Sequence, residues 1–426
     1  MTLSLPRGTS DYGSADAIKL NMMRSIVEET FKRFGFYPIE TPTIELMETL
    51  SAKAYGEESK KEIYVIEGGT EGLRYDFTVP LARYIAMNKD LPMPFKRYQI
   101  GKVWRMDEPQ KMRNREFIQA DVDVIGSTEV LSDAEVLAAG ALAIERLGIS
   151  NYTILLNSRV LLDSVLGMFN IPKDKRGIAM RIIDKLEKIG ASEVQVQLSK
   201  TGQDMKDSQA LVNFITKERE DNGSLLAELD VSLPSAKAEI SRLRELLSII
   251  EAYGIKGSVN LDLSLARGLD YYTGVVWELV VFDNEKRLPT IGSGGRYDKL
   301  IGMYSSKEVP AVGFSIGLSR AFEVLRDEEM VRTYAKVYLA PIKKEDIPFA
   351  IGVAAKMRAN KIYVDMNLTS RGISKQLDYA NSLHIPYAVI IGSIERQANK
   401  VKLRNMQTGE EKLVGIEECL KELEPV

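Results

Sequence analysis

Residues 116–126 constrain this chain's fold more tightly than any other stretch. In Glu116-Phe117-Ile118-Gln119-Ala120-Asp121-Val122-Asp123-Val124-Ile125-Gly126, the polar residues Gln119, Asp121 and Asp123 alternate with apolar ones. Successive side chains of a strand point to opposite faces, so these three polar groups line one face together. That face offers acceptors to a cationic or N–H-rich group. Residues 95–105 read as the antiparallel partner of this strand. The loop between them, 106–115, carries Lys111, Arg113 and Arg115 and is too charged to bury.

The surrounding chain alternates helical and extended patterns. Residues 14–34 form a long amphipathic helix: Ile18, Met22 and Ile26 share one face, and Met23, Val27, Phe31 and Phe34 extend it. Gly35 ends this helix, a short strand follows at 36–40, and Pro42 breaks the chain. Residues 62–66 and 73–78 read as strands paired across Gly68-Gly69, with a helix next at 81–87. From 129 to 253 the pattern is mostly helical, clearest at 179–189, 207–218 and 237–252, as in an inserted helical subdomain. Sheet character returns at 258–282 and 288–317. The C-terminal stretch alternates strands (337–342, 362–366, 387–392) with helices (346–359, 373–383). It closes on a hairpin, 400–405 with 411–414, turning at Thr408-Gly409. That pattern predicts a compact α/β domain with a mixed sheet.

One histidine and one cysteine exclude a great deal of chemistry. A zinc site of usual composition needs several such ligands, and any Ser-His or Cys-His pair would have to use His384. His384 lies just before Ile385-Pro386, where a helix ending is expected, and is read as structural. Cys419 cannot form an internal disulfide. No apolar run approaches the ~20 residues of a membrane span, and the start lacks a signal-peptide pattern, so the expected compartment is the cytoplasm. Net charge is −3, yet residues 331–426 carry more Lys and Arg than carboxylates while the remainder is acidic. A basic module on an acidic body points to a nucleic-acid-facing C-terminal segment. Chemistry must then run on Arg, Lys, carboxylates, Tyr and backbone groups, which suits phosphate and nucleotide work.

Arg105, Arg267 and Arg320 fall at predicted strand ends or helix starts. Guanidinium groups are permanently charged and clamp phosphate or carboxylate bidentately, and arginine is scarce in sheet cores without a partner. A face bearing several arginines expects an anionic ligand; an internal salt-bridge network is the alternative. Arg267 belongs to Leu265-Ala266-Arg267-Gly268-Leu269-Asp270-Tyr271-Tyr272-Thr273-Gly274, which runs into an apolar strand at 275–282. By alternation, Tyr271 and Tyr272 cannot both be core residues of a one-sided sheet. Taken alone, these ten residues also fit a polar turn feeding a buried hairpin. Gly292-Ser293-Gly294-Gly295 lacks the Lys-Ser/Thr ending of a phosphate loop and reads as a tight turn. Across 310–320, glycine alternates with apolar residues, suiting a strand that lets a flat ligand lie against backbone. A glycine-kinked core strand is the other reading.

In combination these segments resemble class II aminoacyl-tRNA synthetases and, within that class, the histidyl-tRNA synthetase family, over nearly the whole length. The helix 14–34 with the strand to Pro42, preceded by Arg7-Gly8-Thr9-Ser10-Asp11, resembles motif 1. Residues 103–119 resemble motif 2, 312–320 motif 3, and 265–274 the family's histidine signature. The resemblance implies an α/β (α+β) catalytic core, an antiparallel sheet with flanking helices, formed by 1–128 and 254–328. It also implies a helical insertion at 129–253 and an anticodon-binding α/β domain with a mixed sheet at 333–426. The implied reaction is ATP-dependent ligation of L-histidine to the 3′ end of tRNA(His) through histidyl-adenylate, releasing AMP and pyrophosphate. Mg2+ is implied as the counter-ion of ATP, and a homodimer is implied through motif 1.

The same resemblance assigns roles. Arg105 is similar to the arginine holding the α-phosphate and the substrate carboxylate, and Arg267 to the histidine-specific arginine beside the reacting groups. Arg113 and Arg320 resemble the contacts to the ATP tail. Asp76, Phe77 and Thr78, with Gln119, resemble the residues around the α-amino group. Asp123 and Tyr272, with Tyr271 beside them, resemble the imidazole readers. Gln110 and Arg115 are the candidates for the tRNA acceptor end. The sequence departs from the class pattern at Ser319, where Glu is usual before the motif 3 arginine, and at Asp107 and Glu108 in motif 2. Rival readings are a regulatory subunit of ATP phosphoribosyltransferase, a histidine- or tRNA-sensing domain, and a class II synthetase for another amino acid. The first two predict erosion at Arg267 or loss of 331–426; the decapeptide argues against the third.

Overall fold

The computed structural model describes residues 3–51, 61–267, 271–283, 286–326 and 331–423. They divide into two compact units, Met1–Ser10 with Met22–Asp327, and Asp11–Asn21 with Glu328–Val426. The strands of the first unit are β1 (Tyr37–Pro38), β2 (Ile44–Leu46), β3 (Glu71–Leu73), β4 (Phe95–Trp104), β5 (Glu116–Ile125), β6 (Tyr152–Ser158), β7 (Ser258–Leu261), β8 (Val275–Asp283), β9 (Lys286–Arg287), β10 (Gly292–Arg296) and β11 (Ala311–Gly317). Nine of them form one sheet in the order β1-β4-β5-β11-β10-β8-β6-β7, with β9 paired to β8. Pairing is antiparallel except at β1–β4 and β6–β7.

Alternation gives this sheet two unlike faces. Val122, Val124, Phe314, Ile316, Trp277 and Leu279 are buried on one of them. The helix Val130–Arg146 covers that face, and Gly140 makes the fit possible, because a Cβ there would sit 1.7 Å from Phe314 Cδ1. The opposite face carries a polar row in register across five strands: Gln99, Asp121, Ser315, Ser293 and Glu278. The helix Ser14–Arg33 contributes Met23, Val27 and Phe31 to the core, with the Phe31 ring 5.9 Å from that of Tyr98.

The structure departs from the sequence reading in four places. Residues 73–78 are not a strand partner of 62–66: β3 pairs with β2, and 62–66 contributes only the single bridge Val65–Gly72. Asp76 ends the extended run, its Oδ1 accepting the amides of Thr78 (3.0 Å) and Val79 (3.1 Å), so the helix starts at Thr78 rather than 81. Pro80 fits that first turn because its missing N–H is not needed there. The stretch 129–253 is not one helical insertion, since Val130–Arg146 packs on the sheet and β6 is a sheet strand. A short apolar run such as β6 cannot be told from a buried helix by periodicity alone. Residues 292–296 form a strand rather than a tight turn, its glycines admitting close neighbours: a Cβ on Gly294 would lie 2.1 Å from the Gly313 carbonyl oxygen.

The second unit holds a five-stranded sheet of β12 (Val337–Pro341), β13 (Val364–Met366), β14 (Tyr387–Ile391), β15 (Lys400–Asn405) and β16 (Glu411–Gly415), ordered β13-β12-β14-β15-β16. The first two pairings are parallel and the last two antiparallel. The helices Ile347–Ala359, Ile373–Ser382 and Ile416–Leu423 flank it, and Cys419 is buried in its core. His384 follows the second of these helices with φ 56°, a left-handed helix-end position, and is exposed. No helix among the described residues is long and apolar enough to cross a membrane.

Candidate active site

A cavity of about 1030 Å³ opens on the polar face of the nine-stranded sheet. One end of it is cationic, and neutral groups help to fix its arginines. Arg105 lies between two rings, its guanidinium carbon 4.3 Å from the Tyr75 centroid and 5.1 Å from that of Phe117. Arg320 donates from Nε to the Met112 carbonyl (3.1 Å) and from Nη1 to the Thr290 carbonyl (2.6 Å). Burial, then the like charges of Arg105 and Arg113, push its pKa down to about 10, with Arg267 adding to them. Four guanidinium groups therefore act on one another in a single field. In the 106–115 loop, Arg113 pairs directly with Asp107 at 2.6 Å.

Arg267 reaches this field from the decapeptide. Its backbone is left-handed, φ 56°, a conformation that costs a non-glycine residue about 1 kcal/mol or more. Surrounding bonds hold it there. Asn157 Nδ2 donates to the Leu265 carbonyl (2.8 Å), Arg159 Nη1 to the Arg267 carbonyl (3.3 Å), and the Arg159 amide to the Gly274 carbonyl (2.9 Å). The Arg267 guanidinium meets Glu278 Oε1 at 2.6 Å and Ser293 Oγ at 3.1 Å, and Thr290 donates to the other Glu278 oxygen at 2.8 Å. Burial opposes charge on Glu278, but Arg267, with Thr290 and Arg287, outweighs it and holds the carboxyl below its usual range.

The other end is acidic. Asp76, Asp121 and Asp123 line it with Gln119. Asp123 fits only because residue 313 is glycine: a Cβ there would lie 1.9 Å from Asp123 Oδ1. Tyr297 donates its hydroxyl to that oxygen. Arg97, fully buried, approaches Oδ2 at 2.6 Å without aligning an N–H along the contact, so the pair is ionic and Oδ2 keeps acceptor capacity. Burial raises the pKa of Asp123 and raises that of Asp121 to about 7, Arg97 opposing both shifts. The glycine alternation of β11 thus makes room for the protein's own carboxylate. Likewise a Cβ on Gly295 would meet the Tyr272 ring at 2.9 Å.

Tyr271 and Tyr272 are both buried, with ring centroids 4.7 Å apart. They precede β8, so strand alternation does not govern them and both can turn inward. Burial raises both phenol pKa values, which leaves each an O–H donor at neutral pH.

Arg105, Arg113, Arg267, Arg320, Asp76, Thr78, Gln110, Gln119, Asp123, Tyr271 and Tyr272 all line the cavity. Phe77 does not: it is fully buried behind the wall, with the Arg74 guanidinium 4.7 Å from its ring centroid. Arg115 is not on the wall either. It packs on the N-terminal segment, donating its amide to the Gly8 carbonyl (2.8 Å) and Nε to the Asp107 carbonyl (2.8 Å). The sequence reading missed Glu278, Ser293, Ser315, Tyr297 and Arg97. A carboxylate inside the apolar run 275–282 was the one available signal for Glu278.

A mainly antiparallel sheet whose polar face gathers converging arginines is the catalytic architecture of class II aminoacyl-tRNA synthetases. Residues 8–321 match the family described as histidyl-tRNA synthetase, and 336–425 the anticodon binding domain family. The histidine–tRNA ligase of Clostridium tetani is 36% identical over 430 residues, 98% of this chain and 97% of that protein. The crystal structure of histidyl-tRNA synthetase from Nostoc sp. PCC 7120 superposes with a TM-score of 0.86 at 30% identity, covering 99% of each chain. The chain belongs to the histidyl-tRNA synthetase family. A Bacillus halodurans structure described as an ATP phosphoribosyltransferase regulatory subunit/histidyl-tRNA synthetase has a TM-score of 0.76 at 22% identity, covering 91% of this chain and 97% of that one. That second likeness is one of fold alone.

Proposed function

We propose that this cavity activates L-histidine with ATP and that the chain transfers it to the 3′ end of tRNA(His), releasing AMP and pyrophosphate. The observation that carries the reading is the cavity's polarity: partly buried arginines at one end, buried carboxylates at the other. A free amino acid has the matching polarity. Its carboxylate faces the arginines and its α-ammonium faces Asp76, Thr78 and Gln119. The imidazole offers one N–H donor and one bare nitrogen. Asp123 and the Tyr272 hydroxyl satisfy both, with Tyr271 packed beside them.

In the first step the histidine carboxylate attacks the α-phosphate of ATP in line, and pyrophosphate leaves. Charge grows on the equatorial phosphate oxygens. Arg105 and Arg267, already fixed by rings and by Glu278, stabilise it without reorganising. Arg113 and Arg320 hold the ATP tail. ATP enters as its Mg2+ complex, so the metal belongs to the substrate. No covalent protein nucleophile is needed, because the substrate brings one. In the second step the terminal ribose hydroxyl of the tRNA attacks the adenylate carbonyl and AMP leaves. Gln110 and Arg115, both in the motif 2 loop, are proposed to meet the acceptor end.

We assign residues 336–425 to the anticodon side of the tRNA. A homodimer through motif 1 is supported by exposed apolar groups in and next to it, Tyr37 at 68% and Ile44 and Leu46 at 49% each. The cytoplasm is the assigned compartment. Histidine-dependent ATP–pyrophosphate exchange on the purified chain tests the reading. Exchange with histidine and not with other amino acids is expected; equal exchange with another amino acid would overturn it.

A further inference from the structure

The acidic end of the cavity holds a carboxylate to which the proposed reaction gives no role. Asp76, Asp121 and Asp123 gather there, and the fully buried Arg97 lies against Asp123 at 2.6 Å. Arg74 also lies within the electrostatic reach of Asp121. Its guanidinium, however, donates to the Lys102 and Thr41 carbonyls, at 2.9 and 2.8 Å. The charge of Asp123 is thus matched by direct contact, while Asp121 has cations only at a distance. Asp121 is 3% exposed and lines the cavity. A buried carboxylate without a cation against it is costly, so its position calls for a cation from outside the protein.

A second observation points the same way. Asp121 and Ser315 are direct partners across β5 and β11, as are Gln119 and Gly317. Ser315 Oγ donates to Asp121 Oδ1 at 2.6 Å and accepts from Gln119 Nε2. This relay fixes the Gln119 amide with its nitrogen toward the serine. Its oxygen, Oε1, is buried, lies in a side chain that lines the cavity, and has no hydrogen-bond partner among the described residues. An unsatisfied buried acceptor costs about 1–3 kcal/mol, so this oxygen too is built for a donor that arrives with a ligand. The relay therefore sets a carboxylate and an amide oxygen near one another, both with acceptor capacity to spare.

We propose that Asp121 is a histidine-binding residue, its carboxylate and the Gln119 amide oxygen together accepting the α-ammonium of the substrate. This rests on the histidine reading and deepens it. An ammonium carries three N–H donors and no acceptor, which suits an acceptor-rich corner. Ser315 is then a positioning residue, since it orients both acceptors without touching the ligand. With the ammonium anchored on β5, the substrate carboxylate extends toward Arg105 and Arg267. The corner also selects: an imidazole compound lacking the amino group leaves Asp121 buried and uncompensated.

Two probes separate this role from its alternatives. L-Histidinol keeps the imidazole and ammonium and lacks the carboxylate; 3-(imidazol-4-yl)propionate keeps the imidazole and carboxylate and lacks the ammonium. Calorimetric titration of both into the full-length wild type, Asp121→Asn and Ser315→Ala measures the contribution. Asp121→Asn is expected to weaken histidinol roughly 10- to 100-fold, the range of a lost charged hydrogen bond, and to change imidazolylpropionate by no more than about twofold. Ser315→Ala, which keeps the carboxylate in a chain expected to fold should Asp121→Asn not, is expected to show a smaller loss confined to histidinol. Equal losses for both probes, or an unchanged histidinol affinity, overturn the proposal. A folded wild type that binds neither probe overturns the histidine reading itself, and the role of Asp121 falls with it.

Discussion

The two ends of the cavity hold buried charge in opposite ways. At the cationic end, Arg105 is sandwiched by rings and Arg320 is held by backbone carbonyls, so uncharged groups help to fix both. Arg267 differs from them in leaning on a carboxylate. At the acidic end, Asp123 is held by an arginine and a phenol, and its charge is largely cancelled where it stands. The difference follows from what each end does. Transition-state charge is stabilised best by fixed dipoles and ions that need no rearrangement, so the end that does chemistry holds its guanidinium groups in place, Arg267 and Arg113 each against a carboxylate. The end that recognises a side chain can neutralise most of its own charge and rely on shape and hydrogen-bond pattern.

That contrast predicts different kinetic signatures. Arg267→Ala removes charge from the reacting end, so histidine-dependent ATP–pyrophosphate exchange should fall by about 10²–10³-fold, the cost of one preorganised oxyanion donor. Histidine affinity measured without ATP should change only a few-fold. Equal losses in turnover and affinity would mean that the arginine serves binding alone, and the proposed division between the ends would be lost.

Gly313→Ala strikes the recognising end without replacing any charged residue. The added methyl would lie 1.9 Å from Asp123 Oδ1, so the carboxylate must move off Tyr297 and Arg97. The expected outcome is a roughly 10- to 100-fold rise in KM for histidine, on the order of one lost buried polar partner, with kcat at saturating histidine changed little. A fall in kcat with an unaltered KM would show that this corner shapes the transition state after all.

The sequence made the polar side of this cavity legible wherever chemistry and period coincide. Gln119, Asp121 and Asp123 announce their shared face by strict alternation, and the strand pair at 95–105 and 116–126 follows from the same pattern. Arg105 and Arg320 stand out as charges at element ends. What stayed hidden depends on packing between distant segments. Arg97 reads as an ordinary strand arginine until the register sets it opposite Asp123. Ser315 and Ser293 carry no local signal, and they matter because three strands bring them into one row. Tyr271 and Tyr272 misled the alternation argument because they lie ahead of the strand, where the backbone turns. Phe77 stands next to two cavity residues and yet faces the core, since the turn capped by Asp76 rotates it away from them.

The smallest effect tests the acidic end in the absence of any ligand. The pKa of Asp121 is pushed up to about 7 in the folded chain, by burial and by Asp123 and Asp76 against the pull of Arg97 and Ser315. Its ordinary value is 3.8. Between these two values the folded protein holds a proton that the unfolded chain has released. Stability from this group is therefore present in full below about pH 4 and is lost as pH rises through about 7. Asp121→Asn has no proton to lose, so its unfolding midpoint relative to wild type should climb across that window and level off above it. A separation of one pH unit between the two values corresponds to roughly 1.4 kcal/mol, which sets a ceiling of ~4 kcal/mol, and relaxation of the buried site should bring the effect well below that. Both tryptophans, Trp104 and Trp277, lie in the nine-stranded sheet, so their fluorescence reports the unfolding of this unit rather than of the C-terminal one. Saturating histidinol should remove the pH slope in wild type by supplying the cation that keeps Asp121 ionised. A difference between wild type and Asp121→Asn that stays constant from about pH 4 to 8 would mean Asp121 is already compensated within the protein, and it would then need no cation from a ligand.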